Sequence, residues 1–146
     1  MANTVCNNFK GMLLEGHING LTDSFKIILM QAGFVFDPDS DYTYADVSTS
    51  EIANGNGYTT GGQALTGVSI AINTAADTAT ISWNQAEWTV SGGTLTASGA
   101  IIFDDSTTLA THGHADAILS YIDFGDTQNA VAGQKLRIPN ISITIN

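Results

Sequence analysis

The sequence predicts a mainly β, single-domain fold, a sandwich or barrel-like domain with a short N-terminal helix. Three observations carry that expectation. Short apolar runs, rich in Ile, Val, Thr and aromatics, recur along most of the chain and are separated by Gly, Asn, Asp and Ser clusters, the pattern of many short strands joined by turns. Polarity comes from Thr, Ser, Asn and Gly, because charged residues make up only 12% of the 146 residues, about half the usual ~25%. The one segment with a clear helical period lies at the start.

Taken in order, residues 3–16 read as that helix. Val5, Phe9 and Leu13, with Met12, fall on one face of a 3.6-residue period. Asn3 or Thr4 is placed to cap it, and Gly16 to stop it in a left-handed conformation. So short a helix is marginal alone, so it must lie on its own sheet or on a neighbouring subunit. Residues 1–20 are thus read as a helical arm and 21–146 as the β-domain. Residues 17–22 form a turn or linker, and 24–31 form a strand apolar on both faces, as a central strand requires. Residues 33–50 read as a long exposed loop anchored by Phe34 and Phe36. Asn54-Gly55-Asn56-Gly57 and Gly61-Gly62 are turn signals.

Strands then follow at 64–73, 77–83, 87–90, 95–103, 118–124 and 135–145. Gly125 closes the fifth of these. Pro139-Asn140 interrupts the last, which marks a bulge or an edge.

Fourteen acidic residues against four basic ones give a net charge of −10. Lys10, Lys26, Lys135 and Arg137 are scattered, so the clustered cations that phosphate binding needs are missing and nucleic acid is not an expected partner. A weakly charged surface suits packing against other subunits, where charged side chains would have to be desolvated. Cys6 has no partner cysteine for an internal disulfide and reads as a small buried apolar residue. No run approaches the ~18 apolar residues of a membrane span, and the start lacks the pattern of a signal peptide. The chain is expected to be made in a cytoplasm.

Few residues suggest chemistry. Asp37, Asp39 and Asp41 alternate like the opening of a calcium loop, but Tyr42 stands where such a loop needs glycine and Ser48 where it needs a bidentate glutamate. A solvated acidic loop is the alternative. His112 and His114, with Asp116, share one face if the chain is extended, so they are candidate metal ligands, most readily about a threefold axis. The alternative is a polar hairpin tip. Trp83 and Trp88 are either core or a sugar-stacking platform. Glu15 with Asp23, and Asp104 with Asp105, are the only carboxylate pairings that suggest acid–base work, and they lack a recognisable cleft. There is no Gly-x-Ser-x-Gly elbow, and the Gly-rich segments lack the lysine and following helix of a phosphate loop. No enzymatic activity and no cofactor are expected.

The order of four motifs adds a resemblance. Val5 to His17 contains Phe9-Lys10-Gly11-Met12-Leu13-Leu14-Glu15-Gly16. Asp23-Ser24-Phe25-Lys26-Ile27-Ile28-Leu29 follows, then Glu51-Ile52-Ala53-Asn54-Gly55-Asn56-Gly57-Tyr58-Thr59-Thr60-Gly61-Gly62-Gln63-Ala64-Leu65, and finally Tyr121-Ile122-Asp123-Phe124-Gly125. Together they resemble a family of small structural proteins of tailed bacteriophages, among them capsid cement or decoration proteins. The segments 33–46 and 112–116 depart from it.

The resemblance implies a virion component on the outer capsid surface that binds the major capsid protein and stabilises the head by bridging its subunits, commonly as a homotrimer. Many copies on a lattice turn weak contacts into strong avidity. The candidate contact residues are Val5, Phe9 and Leu13 in the N-terminal segment and Gly55, Gly57 and Tyr58 in the Gly-rich loop. A phage tail or fibre component is the alternative function, and a carbohydrate- or metal-binding β-module a more distant one.

Overall fold

The computed structural model describes residues 1–106 and 115–146. The chain is mainly β, as its composition predicts. Ten strands and two short helices are described: β1 (Ala2–Val5), α1 (Asn7–Leu14), β2 (Phe25–Met30), α2 (Tyr44–Val47), β3 (Gln63–Ala64), β4 (Ser69–Asn73), β5 (Thr78–Trp83), β6 (Ala86–Thr89), β7 (Thr94–Asp104), β8 (Ile118–Val131), β9 (Lys135–Ile138) and β10 (Ile141–Ile145). A 3₁₀ turn, Ser48–Ser50, follows α2.

The strands form three antiparallel sheets. The largest has the order β1-β8-β7-β2-β3, a second has β10-β5-β4, and β6 pairs with β9 alone. The result is sandwich-like, with the 33–62 segment and the smaller sheet covering opposite faces of the large one. Lys26 pairs with Phe103 and Phe25 with Asp104, so Phe25 and Phe103 point to opposite faces. Tyr44 stacks on Phe103 with ring centroids 5.1 Å apart, while Trp83 of β5 meets Phe25 edge-on at 5.3 Å.

Because both faces are covered, the middle strands are apolar on both faces along their central stretch. Ile27, Ile28, Leu29 and Met30 are all fully buried, as are Ala100, Ile101 and Ile102. Gly99 contributes by having no side chain, since a Cβ there would overlap the Tyr121 ring. Phe34 and Phe36 pack on that same ring at 5.5 and 5.6 Å, which anchors the start of the segment expected to be a loop.

Several expectations need correction. Residues 3–5 are not helical: they belong to β1, whose Ala2 to Val5 pair with Asp123 to Ser120 of β8. The apolar period of Val5, Phe9 and Leu13 spans two elements. Residues 1–20 are therefore not a separate arm, because β1 is an integral strand of the main sheet. The helix starts after Cys6 with no side-chain cap, and Gly16 has a positive φ of 73°, the left-handed stop that was expected. Residues 44–50 of the expected loop are helical, held by a capping box between Thr43 and Asp46.

Later in the chain, Gly125 does not end its strand. β8 runs on to Val131, and the register jump from Ala97–Gln128 to Gly99–Asp123 absorbs the extra residues as an irregularity. Run 64–73 divides into β3 and β4, with a positive φ at Gly67. Pro139-Asn140 does more than introduce a bulge. Asn140 has a φ of 54°, and the chain passes there from β9, paired with β6, to β10, paired with β5.

Candidate functional site

The most organised polar feature lies under the Gly-rich loop, centred on Glu51. Glu51 is 5% exposed. It accepts hydrogen bonds from the Tyr58 hydroxyl at 2.5 Å, the Gly61 N–H at 2.7 Å and the Tyr44 hydroxyl at 2.6 Å. The Tyr58 oxygen also accepts the Leu29 N–H at 3.1 Å, which ties the loop to central strand β2. A buried carboxylate is tolerated when its lone pairs are filled in this way.

Burial first, and then the neighbouring Glu51, push the Tyr44 phenol up to about 12 and the Tyr58 phenol higher still. Both therefore remain hydrogen-bond donors near neutral pH. The arrangement satisfies a buried carboxyl group and ties down a loop.

The loop is pinned elsewhere too. Gly55 and Tyr58 exchange backbone hydrogen bonds, each 2.9 Å. The Asn56 side chain donates to the Thr94 carbonyl at 3.0 Å. Gly62, at a φ of 70°, lies against the Ile27 carbonyl where a Cβ would overlap it. This polar hub was not anticipated from the sequence. Its only signature there is that Tyr44 and Tyr58 each stand seven residues from Glu51.

The structure separates the expected contact residues. Phe9 and Tyr58 are core side chains, at 3% and 2% exposed, so neither is free to touch a partner. Val5 packs against the same core. Gly57 does allow a close backbone approach, but to this chain's own Thr89 carbonyl. Leu13, at 37% exposed, and Gly55, with open space around it, remain on the surface. Leu13 borders an apolar hollow of about 140 Å³ with Ile18, Phe25, Ile70 and Ile81.

The Asp37–Asp41 string is occupied with its own chain. Asp37 accepts the Asp39 N–H at 2.9 Å, Asp41 accepts the Asp37 N–H at 2.9 Å, and Asp39 accepts the Asn7 side-chain amide at 2.5 Å. The Asp39 N–H, then Ser40, hold the Asp37 carboxyl below its ordinary range. These are turn contacts that fasten the loop to α1. Cys6 sits fully buried beside them, its thiol directed at the Asp41 and Pro38 carbonyls. Burial raises its pKa, as for an inert structural thiol.

Among the described residues no three His, Cys, Asp or Glu side chains converge on a metal-sized point. His112 and His114 lie outside the described residues. Trp83 and Trp88 are buried, at 6% and 5% exposed, so neither ring face is open for a sugar; Trp88 packs against Tyr58 at 6.0 Å.

Asp104 ends β7 fully buried. Burial, opposed by the Ser106 contacts and reinforced by Asp23, pushes its carboxyl up to about 6. Asp105 instead pairs with Lys26 at 2.9 Å. Two of the four cations, Lys135 and Arg137 of β9, converge on Glu87 of β6, which holds that carboxyl below its ordinary range.

The fold and these sites define a rigid β-domain whose polar groups serve mainly to hold its own loops. Comparison with protein-family models, with curated proteins and with solved structures returned no match for the chain.

Proposed function

We propose that this chain is a structural component of a bacteriophage virion, a capsid cement or decoration protein that binds the major capsid protein on the outside of the head and bridges its subunits. The observation that carries the reading is the neutral, immobilised surface around the Gly-rich loop. Residues 52–76 contain no Asp, Glu, Lys or Arg, and the first part of that stretch is locked by the Glu51 hub. A surface already rigid loses little entropy on docking, and a neutral one has little charge to desolvate. The sequence motifs that resemble phage structural proteins include this same loop.

In this reading the protein performs no catalysis. It self-associates, with a homotrimer as the proposed assembly, and acts at the outer capsid surface after synthesis in the host cytoplasm. The test is to add purified protein to expanded shells of the phage that encodes it. Saturable binding and a higher shell melting temperature are expected. Shells that neither bind it nor gain stability would refute the proposal, and co-purification with tails after removal of heads would transfer the protein to the tail or fibre.

A further inference from the structure

The second sheet ends in an edge that no strand among the described residues covers. β4 hydrogen-bonds to β5, with Ile70 opposite Ile81 and Ile72 opposite Ala79, and its other side has no strand partner among the described residues. Across the sheet, Ile143 lies opposite Ile81 and Ile145 opposite Ala79. This creates two apolar rows, Ile143-Ile81-Ile70 and Ile145-Ala79-Ile72. Burial falls along the first row: Ile143 is fully buried, whereas Ile70 is 48% exposed and Ile72, its neighbour on β4, 77% exposed. The apolar face thus continues outward beyond the core it was built to cover.

Natural sheets usually guard such an edge with a charge, a proline or a bulge. β4 reads Ser69-Ile70-Ala71-Ile72-Asn73, with none of these. In a chain of net charge −10, most surfaces of two copies repel each other, but β4 lies inside the uncharged 52–76 stretch. The strand is also nearly symmetric about Ala71. A two-fold contact must be self-complementary, and antiparallel pairing centred on Ala71 sets Ile70 opposite Ile72 of the second copy and Ser69 opposite its Asn73.

We propose that the β4 edge is a self-association site, at which a second copy adds its own β4 antiparallel about a two-fold axis at Ala71. The two three-stranded sheets then form one continuous sheet of six strands. Backbone hydrogen bonds supply the pairing, and the cross-strand Ile70–Ile72 contacts cover the overhanging rows. The contact does not depend on the capsid reading and holds whichever particle, if any, the protein joins.

Sedimentation of the purified protein at high concentration, combined with cross-linking, tests it. The wild type is expected to contain an even number of 15.3 kDa chains, two if β4 is the sole contact or six if it joins two of the trimers proposed above, and Ile72→Lys to halve the mass while leaving the far-ultraviolet spectrum and melting profile intact, since Ile72 is on the surface. Ala71→Cys should form a disulfide-linked dimer on mild oxidation, because paired Cα atoms lie ~4.5–5.5 Å apart in such ladders, within disulfide range; Gly55→Cys should not. A wild-type monomer, including one that uses β4 only to bind a strand of a different protein, would overturn the proposal. So would an odd-numbered assembly, a mass unchanged by Ile72→Lys, or equal cross-linking of the two cysteine variants.

Discussion

The two main sheets obey opposite rules. In the five-stranded sheet the central strands are apolar on both faces, because the 33–62 segment covers one face and the smaller sheet the other. In the three-stranded sheet each strand alternates. Ile and Trp83 face inward, while Ser and Thr outside form hydroxyl pairs, Ser69 with Ser82 and Thr80 with Thr144, both at 2.9 Å. The first sheet draws its stability from burial on two sides. The second is a half-buried cover whose outer face and free edge remain open to solvent. The difference teaches that stability and interaction are divided between the layers: the central strands that hold the fold together have little open surface, and the covering sheet has an apolar edge to offer.

The largest expected effect lies in the first sheet. Ile101→Ala removes a fully buried side chain and is expected to cost about 4 kcal/mol, as core truncations of this size do, read from chemical denaturation. If Ile81→Ala, at its half-buried place in the second sheet, cost as much, the contrast between the layers would fail. It is expected to cost about 1–2 kcal/mol.

Breaking the polar hub comes next. Glu51→Ala leaves two tyrosine hydroxyls and the Gly61 N–H without their acceptor, and is expected to cost about 3 kcal/mol. Its signature is local: amide exchange should accelerate across 54–62 before it does so in β4 or β5.

Asp104→Asn should act in the other direction. The Asp104 pKa is raised in the fold, to about 6 from an ordinary 3.8, so the folded state holds its proton more tightly than the unfolded one. The protonated form is favoured at low pH, and stability is lost as pH rises from about 4 through 6, with the penalty fully present above that. Removing the charge should therefore stabilise the protein by about 1–3 kcal/mol at pH 7 and flatten its melting temperature between pH 4 and 6. An unchanged pH profile would show that Asp104 is ionised without penalty.

The smallest effect belongs to the outer hydroxyls. Thr144→Val is expected to change stability by no more than about 0.5 kcal/mol, as for an exposed surface position, in equilibrium unfolding.

Much of this contrast was legible in the residues. The run Phe25–Met30 announced a strand buried on both sides, and the Ile/Thr alternation of 141–145 announced a half-buried one. The site was far less legible. Phe9 and Tyr58 looked available for contact and are core, because an aromatic in a short helix or a glycine-rich loop has the same local sequence whether it faces a partner or its own sheet. Glu51 carries no local signal of its role, because the three donors that claim it, from Tyr44, Tyr58 and Gly61, are brought together only by the fold.

By itself, the sequence determined the β class, most strand positions, the buried cysteine and the acidic, weakly charged surface. These follow from composition and from side-chain period, which are local properties. Only the tertiary structure decided that residues 2–5 pair as a strand, that Pro139-Asn140 passes the chain between sheets, and that β4 is left as an open edge. Each depends on which other strand supplies the backbone partners, and pairings between strands far apart in the chain, such as Ala2 with Asp123 or Ile141 with Trp83, leave no trace in the order of neighbouring side chains.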